Sequence, residues 1–175
     1  MTEIRRAAFP AIVQSDYMFG KLNPVAYRAI EAATVFCKMR GNSYVELVHW
    51  IHQLLQLNDT DLHRIVRNAN IDPGRLAKDV VEALDRLPRG STSITDLSSQ
   101  VEEAVERAWL YCSLMYGDGR IRSGHLVVGM LKTRDLRNTL LGISKEFGKV
   151  QLDALTDNFA EHVAGSPEDA LANRE

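Results

Sequence analysis

Cysteine is scarce. Two cysteines in 175 residues cannot build a disulfide framework, and both, Cys37 and Cys112, fall inside helical patterns, which fits a reducing compartment such as the cytoplasm. Long apolar runs are missing too, and none approaches the roughly 20 residues that span a bilayer. The opening MTEIRRAAFPAIVQ sets two arginines before an apolar stretch, but the stretch is short, broken by Pro10 and without a small-residue cleavage site, so it does not read as a secretory signal. Neither sign of charge dominates. With 21 Lys+Arg interspersed among 23 Asp+Glu and a net charge of -2, nucleic acid and anionic membrane are both excluded as default partners. A phosphate-binding loop is also lacking. The nearest approach, Gly142 to Gly148-Lys149-Val150, has the wrong spacing and no hydroxyl after the lysine, so these residues are expected to bind no ATP and no other cofactor. Neither cysteine has a histidine at a helix-neighbour position, and no Ser-His-Asp set can be nominated.

What is present is hydrophobic content of 45%, enough for one sizeable core or two small ones in contact. The most strongly patterned stretch is 42–57, NSYVELVHWIHQLLQL. Ser43 and Glu46 have capping-box spacing, which predicts a helix start there. Tyr44, Leu47, Val48, Ile51, Leu54 and Leu55 fall on one face, while Glu46, His49, Gln53 and Gln56 read as a solvated one. Glu46-x-x-His49 also has the spacing of carboxylate-bridged metal sites in bundles. Such sites need a second copy of that motif and none exists, so no metal is expected.

Around this helix the chain punctuates itself into others. Asn23-Pro24 and Asp72-Pro73 are helix starts, an N-cap followed by proline at the first helical position. Gly41 ends the first helix; 62–69 make a short third and 73–86 a fourth. Residues 86–99, RLPRGSTSITDLSS, have linker composition. Ser99 and Glu102 predict the next start, Ser123 caps another, 136–141 form a short helix, and 150–163 carry the last. Beyond Gly165 the apolar-poor tail is expected to fray or lead onward. Arg120, Arg122, Lys132, Arg134 and Arg137 gather near the sixth and seventh helices. With charge balanced overall, they read as a solvated basic face or a contact surface rather than a DNA-binding one.

Sliding the chain by 75 residues sets Ala26 on Val101, Ala29 on Ala104, Ile30 on Val105, Ala33 on Ala108, Phe36 on Tyr111 and Cys37 on Cys112. With small shifts, Leu62 meets Leu136 and Leu76 meets Leu152. This is a duplicated four-helix unit whose apolar faces cover one another. The expected class is all-α: an N-terminal extension helix at 1–22 docked on the bundle, units at 23–87 and 99–164, a linker at 88–98, and a tail at 165–175.

The double repeat resembles the N-terminal domain of the Clp/Hsp100 disaggregases. GKLNPVAYRAIEAATVFCKMRGNSYVELVHWIHQLLQLNDTDLHRI and LDRLPRGSTSITDLS resemble in particular the ClpV-like branch dedicated to type VI secretion, the likeness covering about residues 20–165. There are departures. The family's Glu-His-Leu reads Glu46-Leu47-Val48 in the first unit and Gly124-His125-Leu126 in the second, and the segment before Gly20 is longer than in that branch. The resemblance implies a non-catalytic recognition domain set ahead of AAA+ ATPase modules in the same protein. It implies as partner an N-terminal helix of the larger, VipB/TssC-like subunit of the contracted secretion sheath. Such a helix would enter a groove between the N-terminal segment and the bundle. Ile4, Phe9, Ile12 and Val13 are candidates for one wall, Ile94 and Leu97 of the linker for the other. The rival readings are a bundle metalloprotein built on Glu46 and His49 and a helical scaffold or DNA-binding regulator.

Overall fold

The structure is a computed structural model that describes residues 16–94 and 96–171. A short helix α1 (Asp16–Phe19) leads into α2 (Pro24–Arg40), whose start is satisfied by the Asn23 side chain accepting from the Ala26 backbone N–H at 2.9 Å. Gly41 closes α2 with φ 73, and a Cβ there would also meet the Gly90 backbone nitrogen at 3.3 Å, so glycine is required twice over. Next come β1 (Tyr44–Val45), α3 (Leu47–Leu55), α4 (Asp61–Asn68) and α5 (Pro73–Asp85). Strand β2 (Asp96–Leu97) pairs with β1 in parallel, Tyr44 opposite Asp96 and Val45 opposite Leu97. The second unit holds α6 (Ser99–Leu110), a π-helical turn (Tyr111–Met115), α7 (Ser123–Lys132) and α8 (Arg134–Ile143). A 3-10 turn (Lys145–Lys149), α9 (Leu152–Asp157), α10 (Phe159–His162) and a second 3-10 turn (Pro167–Leu171) follow.

The class is all-α as expected, and several local expectations are corrected. Ser43 does not cap α3, because Tyr44 and Val45 are extended to pair with β2; Glu46 is the N-cap, bonded reciprocally with His49. Ser98 rather than Ser99 caps α6, its hydroxyl accepting from the Val101 N–H at 3.3 Å. The helix expected over 150–163 is broken at Asn158, where the chain turns Phe159 inward onto Tyr116 and His125 at centroid distances of 4.8 Å each. The tail does not fray through Leu171, since its last 3-10 turn inserts Glu168 into the interior.

The duplication holds where it was drawn. Ala26, Ala29, Ile30, Ala33 and Cys37 are buried, as are Val101, Ala104, Val105, Ala108 and Cys112. The Cys37 thiol donates to the Tyr44 carbonyl at 3.3 Å, and the Cys112 thiol to the Arg120 carbonyl at 3.2 Å. His49 Nδ1 accepts from the Glu46 N–H at 2.8 Å, and His125 Nδ1 from the Arg122 N–H at 3.0 Å. Even the strand pairing is doubled. Val45 beside Leu97 is matched by a parallel bridge of Leu22 to Ile121, so the segment entering each unit is stitched to the other. One continuous cluster of buried side chains runs through both units.

Candidate functional site

Residues 16–22, ahead of α2, are bolted to the second unit. Phe19 is buried, with α1 lying against α6. The Ile121 N–H donates to the Lys21 carbonyl at 2.7 Å, the Asn23 N–H to the Ile121 carbonyl at 2.8 Å, and Arg120 Nη1 to the Gly20 carbonyl at 2.5 Å. Lys21 Nζ sits 5.1 Å from the Tyr17 ring and 5.2 Å from the Trp109 ring, joining α1 to α6 by two cation–π contacts. Tyr17 itself is 66% exposed.

The end of α6 and its π turn carry the largest exposed apolar side chains of the second unit: Leu110 at 39%, Leu114 at 79% and Met115 at 47%. The core stripe of this helix, Val101, Ala104, Val105, Ala108 and Cys112, faces inward and leaves Leu110 and Leu114 on the outside. Large apolar groups clustered on a surface mark an interaction site. Tyr17 is exposed on α1, which lies against the same helix α6. The first unit repeats the arrangement. Val35 and Met39 are exposed at the positions equivalent to Leu110 and Leu114, while Phe36 stacks on His52 at 4.7 Å. There the linker lies alongside, with the Ser91 N–H donating to the Gly41 carbonyl at 2.9 Å.

Of the residues expected to line the groove, Ile4, Phe9, Ile12 and Val13 lie outside the described residues. Ile94 is half-buried against the core, and Leu97, at 4% exposed, belongs to the core through its pairing with Val45. Sequence reasoning passed over Tyr17, Leu110, Leu114 and Met115, although the position of Leu110 and Leu114 off the apolar stripe was the available signal.

The remaining candidates resolve into structural roles. His49 is fully buried rather than solvated; Nδ1 caps α3 and Nε2 bonds the Asn42 side-chain oxygen at 2.9 Å, so neither ring nitrogen is free for a metal. Burial, with the Arg40 charge nearby, pushes His49 down to about 4 and keeps it neutral. Among the described residues no three His, Cys, Asp or Glu side chains gather as a metal site. Burial pushes the Cys37 thiol up to about 11 and Cys112 up to about 12, so neither forms a thiolate at neutral pH. The basic group is not a solvated face throughout. Arg122 is buried and grips Asp61 through Nε at 2.8 Å and Nη2 at 2.7 Å.

Comparison with known proteins places this architecture. The Clp repeat (R) N-terminal domain family matches residues 21–142. The AAA+ ATPase ClpV1 of Pseudomonas aeruginosa is 63% identical over 172 residues, which are 98% of this chain and 18% of that protein, so the chain spans under a fifth of this relative's length. A solved chain from a study of coevolution of the ATPase ClpV, the TssB-TssC sheath and the accessory HsiE protein in type VI secretion superposes with a TM-score of 0.85 at 68% identity. It covers 87% of this chain and 94% of that one. A ClpV N-domain in complex with VipB peptide shares the fold, with a TM-score of 0.76 at 23% identity over 87% of this chain and 93% of that one.

Proposed function

The chain belongs to the Clp repeat N-terminal domain family, and from that premise we propose that it is the substrate-recognition domain of a ClpV-like AAA+ unfoldase. In this reading it is non-catalytic and cytoplasmic, and it stands ahead of ATPase modules in the same protein. Its ligand is an N-terminal helix of the larger, VipB/TssC-like sheath subunit, taken so that a contracted type VI sheath is unfolded and recycled. The observation that carries the reading is the pinning of residues 16–22 against α6, the helix whose end and following turn expose Leu110, Leu114 and Met115. An amphipathic helix laid along such a face inserts anchors at i, i+3, i+4 and i+7. Ile4, Phe9, Ile12 and Val13, which precede α1, supply one wall and Leu110 and Leu114 the floor; of the two linker residues only the half-buried Ile94 is assigned to the other side, since Leu97 is closed off in the core. The complex of a VipB peptide with a ClpV N-domain of the same fold supports the choice of partner.

Calorimetric titration with a peptide of the first helix of the larger sheath subunit tests it. Each large anchor contributes roughly 1.5 to 3 kcal/mol when buried, so Phe9→Ala, Ile12→Glu or Leu114→Glu should weaken binding about tenfold or more with the helical spectrum unchanged. Equal affinity for the intact chain and for one beginning at Leu22 would remove the N-terminal segment from the site.

A further inference from the structure

The end of the described chain is held far more tightly than a tail needs to be. After α10 the backbone turns through Gly165, at φ 86, and the Glu168 side chain enters the seam between the units with no exposed surface. Its Oε1 accepts from Asn23 Nδ2 at 2.9 Å and from the Ser123 backbone N–H at 2.8 Å. Its Oε2 accepts from the Asp61 backbone N–H at 2.7 Å and from the Ser123 hydroxyl at 2.5 Å. Asn23 is the cap of α2 and Asp61 the first residue of α4, both in the first unit; Ser123 is the first residue of α7, in the second. One carboxylate therefore closes the starts of three helices drawn from both units.

The neighbouring contacts tie the same stretch down. Arg122, already paired with Asp61, also donates through Nη2 to Asp169 at 2.7 Å, and Asp169 accepts from the Gly165 N–H at 2.9 Å. Arg64 and Asn68 of α4 donate to the carbonyls of Ala164, Gly165 and His162 at 3.2, 3.0 and 2.8 Å. Burial, with the Asp61 carboxylate beside it, pushes the Glu168 carboxyl up. The bonds from Ser123 and from the Asp61 N–H pull the other way without cancelling that push.

We propose that residues 165–171 form a releasable clasp, in which Glu168 locks the two repeat units together and withdraws as one element when the chain is drawn away beyond Leu171. The segment carries little apolar anchoring, so its hold is polar and all-or-none. Withdrawal leaves the Asp61 and Ser123 backbone donors and the Asn23 amide without their acceptor, while the shared apolar core stays closed. Position and tension at the C-terminal side of the domain are thereby coupled to the junction of its two halves. The clasp stands on geometry independent of the peptide site.

Amide hydrogen exchange on the intact chain tests it. In the wild-type protein at low denaturant, the Asp61 and Ser123 amides should exchange together through an opening at least tenfold more frequent than global unfolding, which the Ile30 and Val105 amides report. Glu168→Ala should lower the protection of Asp61 and Ser123 at least tenfold and leave Ile30 and Val105 within about twofold. Glu168→Gln, which presents one acceptor oxygen in place of two, should act in the same direction. Exchange of Asp61 and Ser123 only through global unfolding in the wild type overturns the clasp. So does an equal loss of protection at all four amides in Glu168→Gln.

Discussion

His49 shows how a residue that reads as surface becomes interior. By periodicity it belongs with Glu46, Gln53 and Gln56, yet its two ring nitrogens serve the start of α3 and the Asn42 side chain, which makes a buried imidazole tolerable. The consequence is measurable. Because burial holds His49 at about 4, below its usual range, the folded state takes up its proton later than the unfolded chain does. The stability due to the neutral ring is therefore complete above about pH 6.5 and is lost as pH falls towards 4. Ring chemical shifts of His49 should stay those of neutral imidazole through the weakly acidic range and change with a midpoint at about 4. A His49 midpoint above pH 6 would overturn the assignment.

At the level of elements, the helices were legible where caps and prolines announce them, as at Asn23-Pro24 and Asp72-Pro73. The strands were not. Tyr44 and Val45 are extended because of Asp96 and Leu97, which lie across the linker, and a two-residue pairing leaves no periodicity to read. The break at Asn158 was hidden for the same reason: Phe159 is drawn to Tyr116 and His125, partners remote in sequence. The packing of α6 on α7 turns on a glycine that no pattern singles out. A Cβ at Gly129 would lie 2.8 Å from the Ala108 backbone nitrogen and 3.1 Å from the Arg107 carbonyl carbon, both fixed in the facing helix. Alanine gains up to about 1 kcal/mol of helix propensity over glycine, but overpacking a fixed backbone costs about 1 to 3 kcal/mol. Gly129→Ala should therefore destabilise the fold in chemical denaturation. A raised midpoint would show that α6 and α7 separate freely at this crossing.

For the molecule as a whole, the repeat was visible in sequence because equivalent inward positions keep their size, Cys37 with Cys112 being the plainest case. What joins the halves was not, because Glu168, Asp61 and Arg122 each find partners across long stretches of chain and read singly as surface charges. The exposed Leu110 and Leu114 were likewise lost among ordinary helix residues. The stitched strands and common core make the two units one cooperative body rather than two tethered ones. The two tryptophans allow this to be tested, one in each unit: Trp50 of α3, buried with its indole N–H donating to the Ala26 carbonyl at 3.1 Å, and Trp109 of α6, half-buried under Lys21. In Trp50→Phe tryptophan emission comes only from the second unit, and in Trp109→Phe only from the first. Within each variant, the urea midpoint by fluorescence should coincide with that by far-ultraviolet dichroism, since losing either unit uncovers the core of the other. Independent units would instead give a dichroism curve in two steps, with fluorescence following only one of them. Opening of the clasp should leave both curves unchanged, because it releases a few residues and keeps both cores closed.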